Sequence, residues 1–313
     1  MKRIILFLLI CTLAAPLVAE EAKPRPKGML RTYIIPAYSF AFSEFDADAK
    51  SRDAAVQATS LGLAVEYGLL DWLALSIHWA PLWTFWSDFE EDDNLHINGL
   101  HDIDFGVRFQ LIGDKSLIAD SDKIRLAASV VLRFPWVSAD WKDESENFIA
   151  RDDYKEVDPD KHAWGIGGRL YFDYVFTQAF FLNFYTEFIK FFDKDYEDVN
   201  LDTYGDPVHD DYNYGWDLTF EIEPTLEYAL TEGVHIGASL PVNIKFTPDV
   251  SVDGTSQNDT ATYLLMFGPE ISIYFPKMFI PTEFRLSYLH PLLGRNSPAT
   301  HEFGLYIQSY VQF

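Results

Sequence analysis

Apolar and polar residues take turns along most of this chain. From Leu30 to Ser43, "LRTYIIPAYSFAFS" sets Leu30, Thr32, Ile34, Pro36, Tyr38, Phe40 and Phe42 against Arg31, Tyr33, Ile35, Ala37, Ser39, Ala41 and Ser43. A period of two is that of a β-strand with differently solvated faces. The same alternation places Leu61, Leu63, Val65 and Tyr67 opposite Ser60, Gly62, Ala64 and Glu66. It then sets Leu73, Leu75, Ile77, Trp79, Pro81, Trp83 and Phe85 opposite Ala74, Ser76, His78, Ala80 and Thr84. Segments 100–111, 124–135, 164–175, 180–191, 217–229, 234–246, 261–275, 279–290 and 301–313 read likewise, which predicts about twelve strands in all. The last of them runs to the terminal residue, with Phe303, Leu305, Ile307, Val311 and Phe313 on one side. Chain ends of ordinary domains are seldom held down, so a strand that stops at Phe313 calls for a fixed partner.

One face of these strands is oily and almost uncharged. The other collects Arg108, Arg125, Arg133, Arg169, Glu187, Glu221, Glu223, Lys245, Glu270 and Arg285. That consistency predicts an all-β fold, a single antiparallel transmembrane β-barrel over residues 29–313, lipid outside and a charged lumen within. Closure gives the last strand its partner, the first, and leaves no open edge in the hydrocarbon. The ten charged residues are the candidate lumen-lining set.

Connections alternate in length. "GLLD", "VFTQ", "LTEG" and "FPKM" are tight and "GDKSLIADSDK" is moderate, whereas 44–55, 87–98, 136–163, 193–216, 248–260 and 291–300 are expected as surface loops. Short periplasmic turns and longer extracellular loops are the asymmetry of outer-membrane barrels. Three short turns share a frame, "EYGLLDWLAL", "DYVFTQAFFL" and "EYALTEGVHI", which sets Tyr67, Tyr174 and Tyr228 at one height. With Trp79, Trp83, Phe85, Trp164 and Trp216 near the opposite ends, two aromatic girdles are expected; ordinary hairpin chemistry is the alternative, because Tyr favours strands.

At the amino end, Lys2 and Arg3 precede an apolar stretch from Ile4 to about Val18 and small Ala19. This pattern predicts a signal peptide over 1–19 and a short periplasmic tail over 20–28. The stretch is broken by Pro16 and falls short of the roughly 20 residues of a spanning helix. The one cysteine, Cys11, lies inside that signal, so no disulfide or thiol chemistry is expected of the exported chain.

Net charge sharpens the picture. The chain carries −24, which argues against nucleic acid as a partner. The six surface loops hold 29 acidic and 8 basic residues, so nearly all of the excess lies there and the wall is close to balanced. Such loops either stay solvated or form a vestibule that enriches cations, weakened by screening over about 8 Å at physiological salt. Asp193, Asp195, Glu197, Asp210 and Asp211 invite a calcium reading. An EF-hand fails, because Asp198 stands at the turn glycine and Tyr204 at the twelfth position; a looser divalent site stays open, and no defined metal site or cofactor is assigned.

Enzyme chemistry finds little support. His290, Asn296, Ser297 and His301 are the residue types of an outer-membrane phospholipase, but Asn296 and Ser297 fall in an expected loop rather than on facing strands. His209, Asp210 and Asp211 lack the second acidic pair of a barrel-rim protease.

These residues carry two resemblances. The strand ending in Phe313 resembles the carboxy-terminal signature of Gram-negative-type outer-membrane proteins, which implies the outer-membrane assembly machinery as a partner. "LAVEYGLLDWLALSIHWAP", "GLHDIDFGVRFQLIG" and "IRLAASVVLRFP" resemble elements of the outer-membrane transporters of the phenol meta-degradation type. That resemblance implies transport across the bacterial outer membrane and leaves the substrate open. The expected function is a passive pore or transporter for small polar or amphipathic solutes, with outer-membrane lipids around it. The alternative is a structural or surface-interaction barrel with a plugged lumen and cation- or ligand-binding acidic loops.

Overall fold

A computed structural model describes residues 22, 25–89, 93–99, 101–135, 161, 163–201 and 207–313. The expected signal peptide and most of loop 136–163 lie outside the described residues.

Twelve wall strands run antiparallel, each bonded to its chain neighbours. They are β1 (Met29–Phe45), β2 (Ser51–Leu70), β3 (Leu73–Phe89), β4 (Asp93–Gly99 continued by Ile103–Gly113), β5 (Ile124–Phe134), β6 (Gly165–Val175), β7 (Phe180–Phe191) and β8 (Trp216–Thr231). The circuit continues through β9 (Val234–Ser239 and Val242–Thr247), β10 (Thr262–Phe267 and Glu270–Phe275), β11 (Thr282–Arg295) and β12 (His301–Gln312). The last strand pairs with the first, Met29 with Gln312 and Phe40 with His301, so the cylinder closes. Phe313 is held too: its amide donates to the Gly28 carbonyl at 2.9 Å.

Closure is what the alternation requires. Every backbone donor in hydrocarbon needs a partner, and a closed sheet supplies one without edges. Along β1, Arg31, Tyr33, Ile35, Ser39 and Ala41 are buried, while Ile34, Tyr38 and Phe42 face outward. The outward belt continues through Val65, Leu75, Ile77, Phe105, Val107, Val130, Ile166, Phe220, Ile271 and Phe303.

Prolines interrupt the ladder at one height on neighbouring strands. A proline has no N–H to donate, and β9 and β10 break at Leu240–Pro241 and Gly268–Pro269. The prolines still accept: Leu240 donates to the Pro224 carbonyl at 3.2 Å, Gly268 to Pro241 at 3.2 Å and Tyr288 to Pro269 at 3.1 Å.

Two expectations are corrected. Residues 44–55, 87–98 and 291–300 are not surface loops over their length: β1 and β2 extend to Phe45 and from Ser51, β3 pairs with Asp93–Gly99, and β11 runs on to Arg295, with Asn296, Ser297 and Thr300 buried. At 17 and 20 residues, β1 and β2 exceed the 9–11 needed to span, so this hairpin projects beyond the membrane. Trp83 does not belong to the outer girdle. The β2–β3 register shifts between Leu61 and Leu63, opposite Trp79 to Leu82. That bulge reverses the facing of the residues beyond it, so Leu82 is 63% exposed outside and Trp83 is 2% exposed within. The Trp83 ring meets His101 edge-on at 5.5 Å. Trp164 remains exposed, and Tyr228 lies exposed near the short-turn end. The side chain of Phe85 lies outside the described residues.

A smaller four-stranded sheet lies outside the wall's hydrogen-bonded circuit, built from Lys194–Leu201, Pro207–Asn213, Ser251–Val252 and Thr255–Ser256, and its Val252 packs against a cluster that includes Val131, Ile189 and Phe191 of the wall. Part of the expected loops 193–216 and 248–260 is thereby paired. The side chains of Asp195, Glu197, Asp210 and Asp211 lie outside the described residues.

Candidate functional site: the charged lumen

Arg108, Arg125, Arg133, Arg169, Glu187, Glu221, Glu223, Lys245, Glu270 and Arg285 all stand on the inward face. Strand parity puts them there, and the ion pairs tie many of them together. Near mid-barrel, Arg133 grips Asp104 with two hydrogen bonds, Nε to Oδ1 at 2.7 Å and Nη2 to Oδ2 at 2.9 Å. Arg169 Nη2 donates to the same carboxylate at 2.6 Å, and its Nε donates to Glu187. Four charges from β4, β5, β6 and β7 thus form one ladder, in which each buried charge faces an opposite one.

Toward the short-turn end, Glu66 accepts from Arg31 Nε at 2.6 Å and from Arg25 Nε at 2.8 Å. Arg108 lies over the Tyr171 ring, 4.1 Å from its centroid, and Arg125 pairs with Asp173 at 3.5 Å. At the opposite end Lys161 reaches in from loop 136–163. It bonds Asp217 and sits 4.1 Å over the Phe191 ring, with Lys245 on the other side of Asp217 at 3.9 Å.

The remaining wall is acidic. Glu221, Glu223, Glu270, Glu283 and Glu302 come from β8 and β10 to β12, where Arg285 binds Glu270 at 3.2 Å and Glu283 at 3.3 Å. Glu223 accepts from Asn183 Nδ2 at 3.2 Å. Glu221 stands directly opposite Asn243 on β9, and both are buried. Arginine thus predominates on β4 to β6, and carboxylate on β8 to β12.

The tail expected in the periplasm has its described residues inside the wall. Ala22 packs against Ala127, Tyr171 and Tyr185, and its amide donates to Asp173 Oδ1 at 3.0 Å. Arg25 is buried beside Glu66. On the β8 to β12 side, the short-turn mouth holds a cavity of about 750 Å³, lined in part by Met29, Glu227, His235, Tyr274, Glu283 and Tyr310.

Sequence reasoning leaves Asp104, Asp173, Asp217 and the inward tyrosines out of the candidate set, although the parity that selects Arg108 and Arg169 would find them. Arg25 and Lys161 lie on segments without periodicity, where no such signal exists. Ser297 is not poised as a nucleophile: its hydroxyl donates to the Tyr263 carbonyl at 3.0 Å, and the residue is fully buried. His290 and His301 lie close together, Nδ1 to Nδ1 at 3.4 Å, beside Tyr288 on the outward face.

A closed cylinder with an apolar exterior and a charged interior defines an outer-membrane β-barrel. Its fold is that of an outer membrane channel from Pseudomonas putida F1, with a TM-score of 0.63 at 13% identity over 95% of this chain and 99% of that one. The β domain of the Bordetella autotransporter BrkA aligns at TM-score 0.47 and 11% identity, covering 89% and 99% of the two chains. The P. putida toluene transporter TodX aligns at 0.42 and 10%, covering 92% and 91%. No protein-family model and no curated protein sequence matches the chain.

Proposed function

We propose that the protein is a channel that carries small polar or amphipathic solutes passively across the outer membrane, with the lumen charges as its filter. The observation that carries this reading is the division of the lumen into an arginine wall around Arg108 and Arg169 and a carboxylate wall around Glu221 and Glu223. Opposed walls of this kind orient a dipolar solute and select among ions, the logic of charge-lined pores. The likeness to an outer membrane channel of P. putida supports the fold this requires, and the short motifs shared with the phenol meta-degradation type transporters point the same way. Recording from the purified protein in planar bilayers tests it. Discrete conductance steps are expected, and Glu221→Gln with Glu223→Gln should lower the preference for cations. A silent bilayer overturns the reading.

The second reading, a plugged barrel, draws on the burial of Ala22 and Arg25 inside the wall.

A further inference from the structure

We propose that His290 and His301, which face each other across β11 and β12 on the outer surface of the barrel, form a binding site for a divalent transition-metal ion, zinc foremost. The site stands apart from the lumen and does not depend on the channel reading.

Strand pairing brings the two rings together. Leu289 and Glu302 are opposite one another and buried, so the next pair along, His290 and His301, faces outward. Phe40 on β1 pairs with His301 from the other side. Its ring stacks on the imidazole with centroids 5.0 Å apart, and the Tyr288 ring stacks on it at 6.1 Å. Two aromatic neighbours on paired strands thus hold the His301 ring in place.

The contact between the imidazoles is long for a hydrogen bond and right for two ligands of one metal. Their Nδ1 atoms are 3.4 Å apart, beyond the usual hydrogen-bond range of about 2.7–3.2 Å. Zinc bonds imidazole nitrogen at about 2.0–2.1 Å, and two such bonds at the tetrahedral angle set their nitrogens about 3.3–3.4 Å apart. The ring centroids are farther apart than the nitrogens, at 4.9 Å, so the rings turn Nδ1 toward each other as ligands sharing an ion do. A hydrogen bond would serve the pair poorly: the Tyr288 hydroxyl lies 2.8 Å from His301 Nδ1, and as its donor it takes up the lone pair that His290 would need. A metal ion draws on both nitrogens at once and leaves that hydroxyl to a metal-bound water.

Imidazole suits zinc, copper and nickel, whereas magnesium and calcium prefer oxygen. Among the described residues no third histidine, cysteine or carboxylate joins the pair, so water completes the shell and the ion can exchange. Water reaches it. Strand β12 runs twelve residues from His301 to Gln312, about 40 Å and, at a tilt of about 40°, about 30 Å along the membrane normal, more than the apolar band of about 25 Å. The pair therefore lies at the interface opposite the short turns, where His290 is exposed.

Calorimetric titration of Zn²⁺ into the untagged mature chain, folded in phosphatidylcholine nanodiscs, tests this. Zinc is expected to fill one site that Mg²⁺ in large excess does not occupy. His290→Gln or His301→Gln should weaken that binding by about tenfold or more in protein that keeps its heat-modifiable gel mobility. Unchanged affinity in either folded variant overturns the proposal, since the metal would then be held elsewhere, on the acidic loops; so does equal occupancy by Mg²⁺. Should a variant not fold, zinc-edge X-ray absorption on the unaltered chain decides: two imidazole nitrogens at about 2.0 Å are expected, and an all-oxygen shell overturns the site.

Discussion

Asp104 holds two lumen arginines at once. It takes two hydrogen bonds from Arg133 and one from Arg169, and it comes from β4 while its partners come from β5 and β6. Converting it to asparagine keeps the shape but leaves two guanidiniums facing each other with Glu187 to share. Removing one member of a buried ion network is costly because the survivors stay desolvated. Arg133 retains some contact with lumen water, so Asp104→Asn is expected to cost about 3 kcal/mol, at the lower end for such losses. Chemical denaturation of the folded barrel in vesicles measures it. Asp104→Asn combined with Arg133→Met should recover part of the loss, because one orphaned charge leaves with its partner.

At the scale of the strand, one residue in two faces lipid, and the penalty for error depends on depth. Val130 is 56% exposed in the middle of β5, flanked by inward Ser129 and Val131. Arginine on the lipid face near mid-membrane costs about 2–4 kcal/mol, so Val130→Arg should reduce folding stability by that amount while Arg133, three residues on, is accommodated within. A urea titration of folding into phospholipid vesicles gives the difference; no loss would mean that β5 does not present this face to lipid. The same period explains what is legible in the sequence. Each of the ten candidate charges sits in an unbroken alternating run, which assigns it inward, and the number of such runs gives about twelve strands. Trp83 escapes this reading because a bulge at Ala80–Pro81 inserts one residue and reverses the facing of everything after it. A proline in an alternating run hints at such a slip, but the count shows only in the pairing of Leu61 with Leu82 and Leu63 with Trp79. The loop ends of β1 and β2 escape it for another reason: charged, solvated strand outside the membrane has no hydrophobic face to alternate.

The whole molecule couples the segment that precedes β1 to its lumen. Contacts of Ala22 with Asp173 and of Arg25 with Glu66 join positions 151 and 41 residues apart, which no local pattern reveals; they arise from closure of the cylinder. Both contacts lie on the half of the barrel where Arg108, Tyr171 and Tyr185 project, opposite the cavity lined by Tyr274 and Tyr310. The segment therefore occupies cross-section that a solute would otherwise use, and it is pinned by charge. Arg25→Ala removes one of the two arginines on Glu66 and leaves Arg31 to neutralise it, so the barrel should stay folded while the segment loosens. Removal of residues 20–26 takes away the obstruction altogether. In planar bilayers both changes are expected to raise the single-channel conductance, the deletion at least about twofold, with the larger rise at low salt, where the bared Asp173 carboxylate beside Arg125 acts over a longer Debye length. Conductance equal to that of the intact chain would show that ions already pass wholly along the carboxylate wall of β8 to β12, and that the segment stabilises the arginine half without narrowing the path.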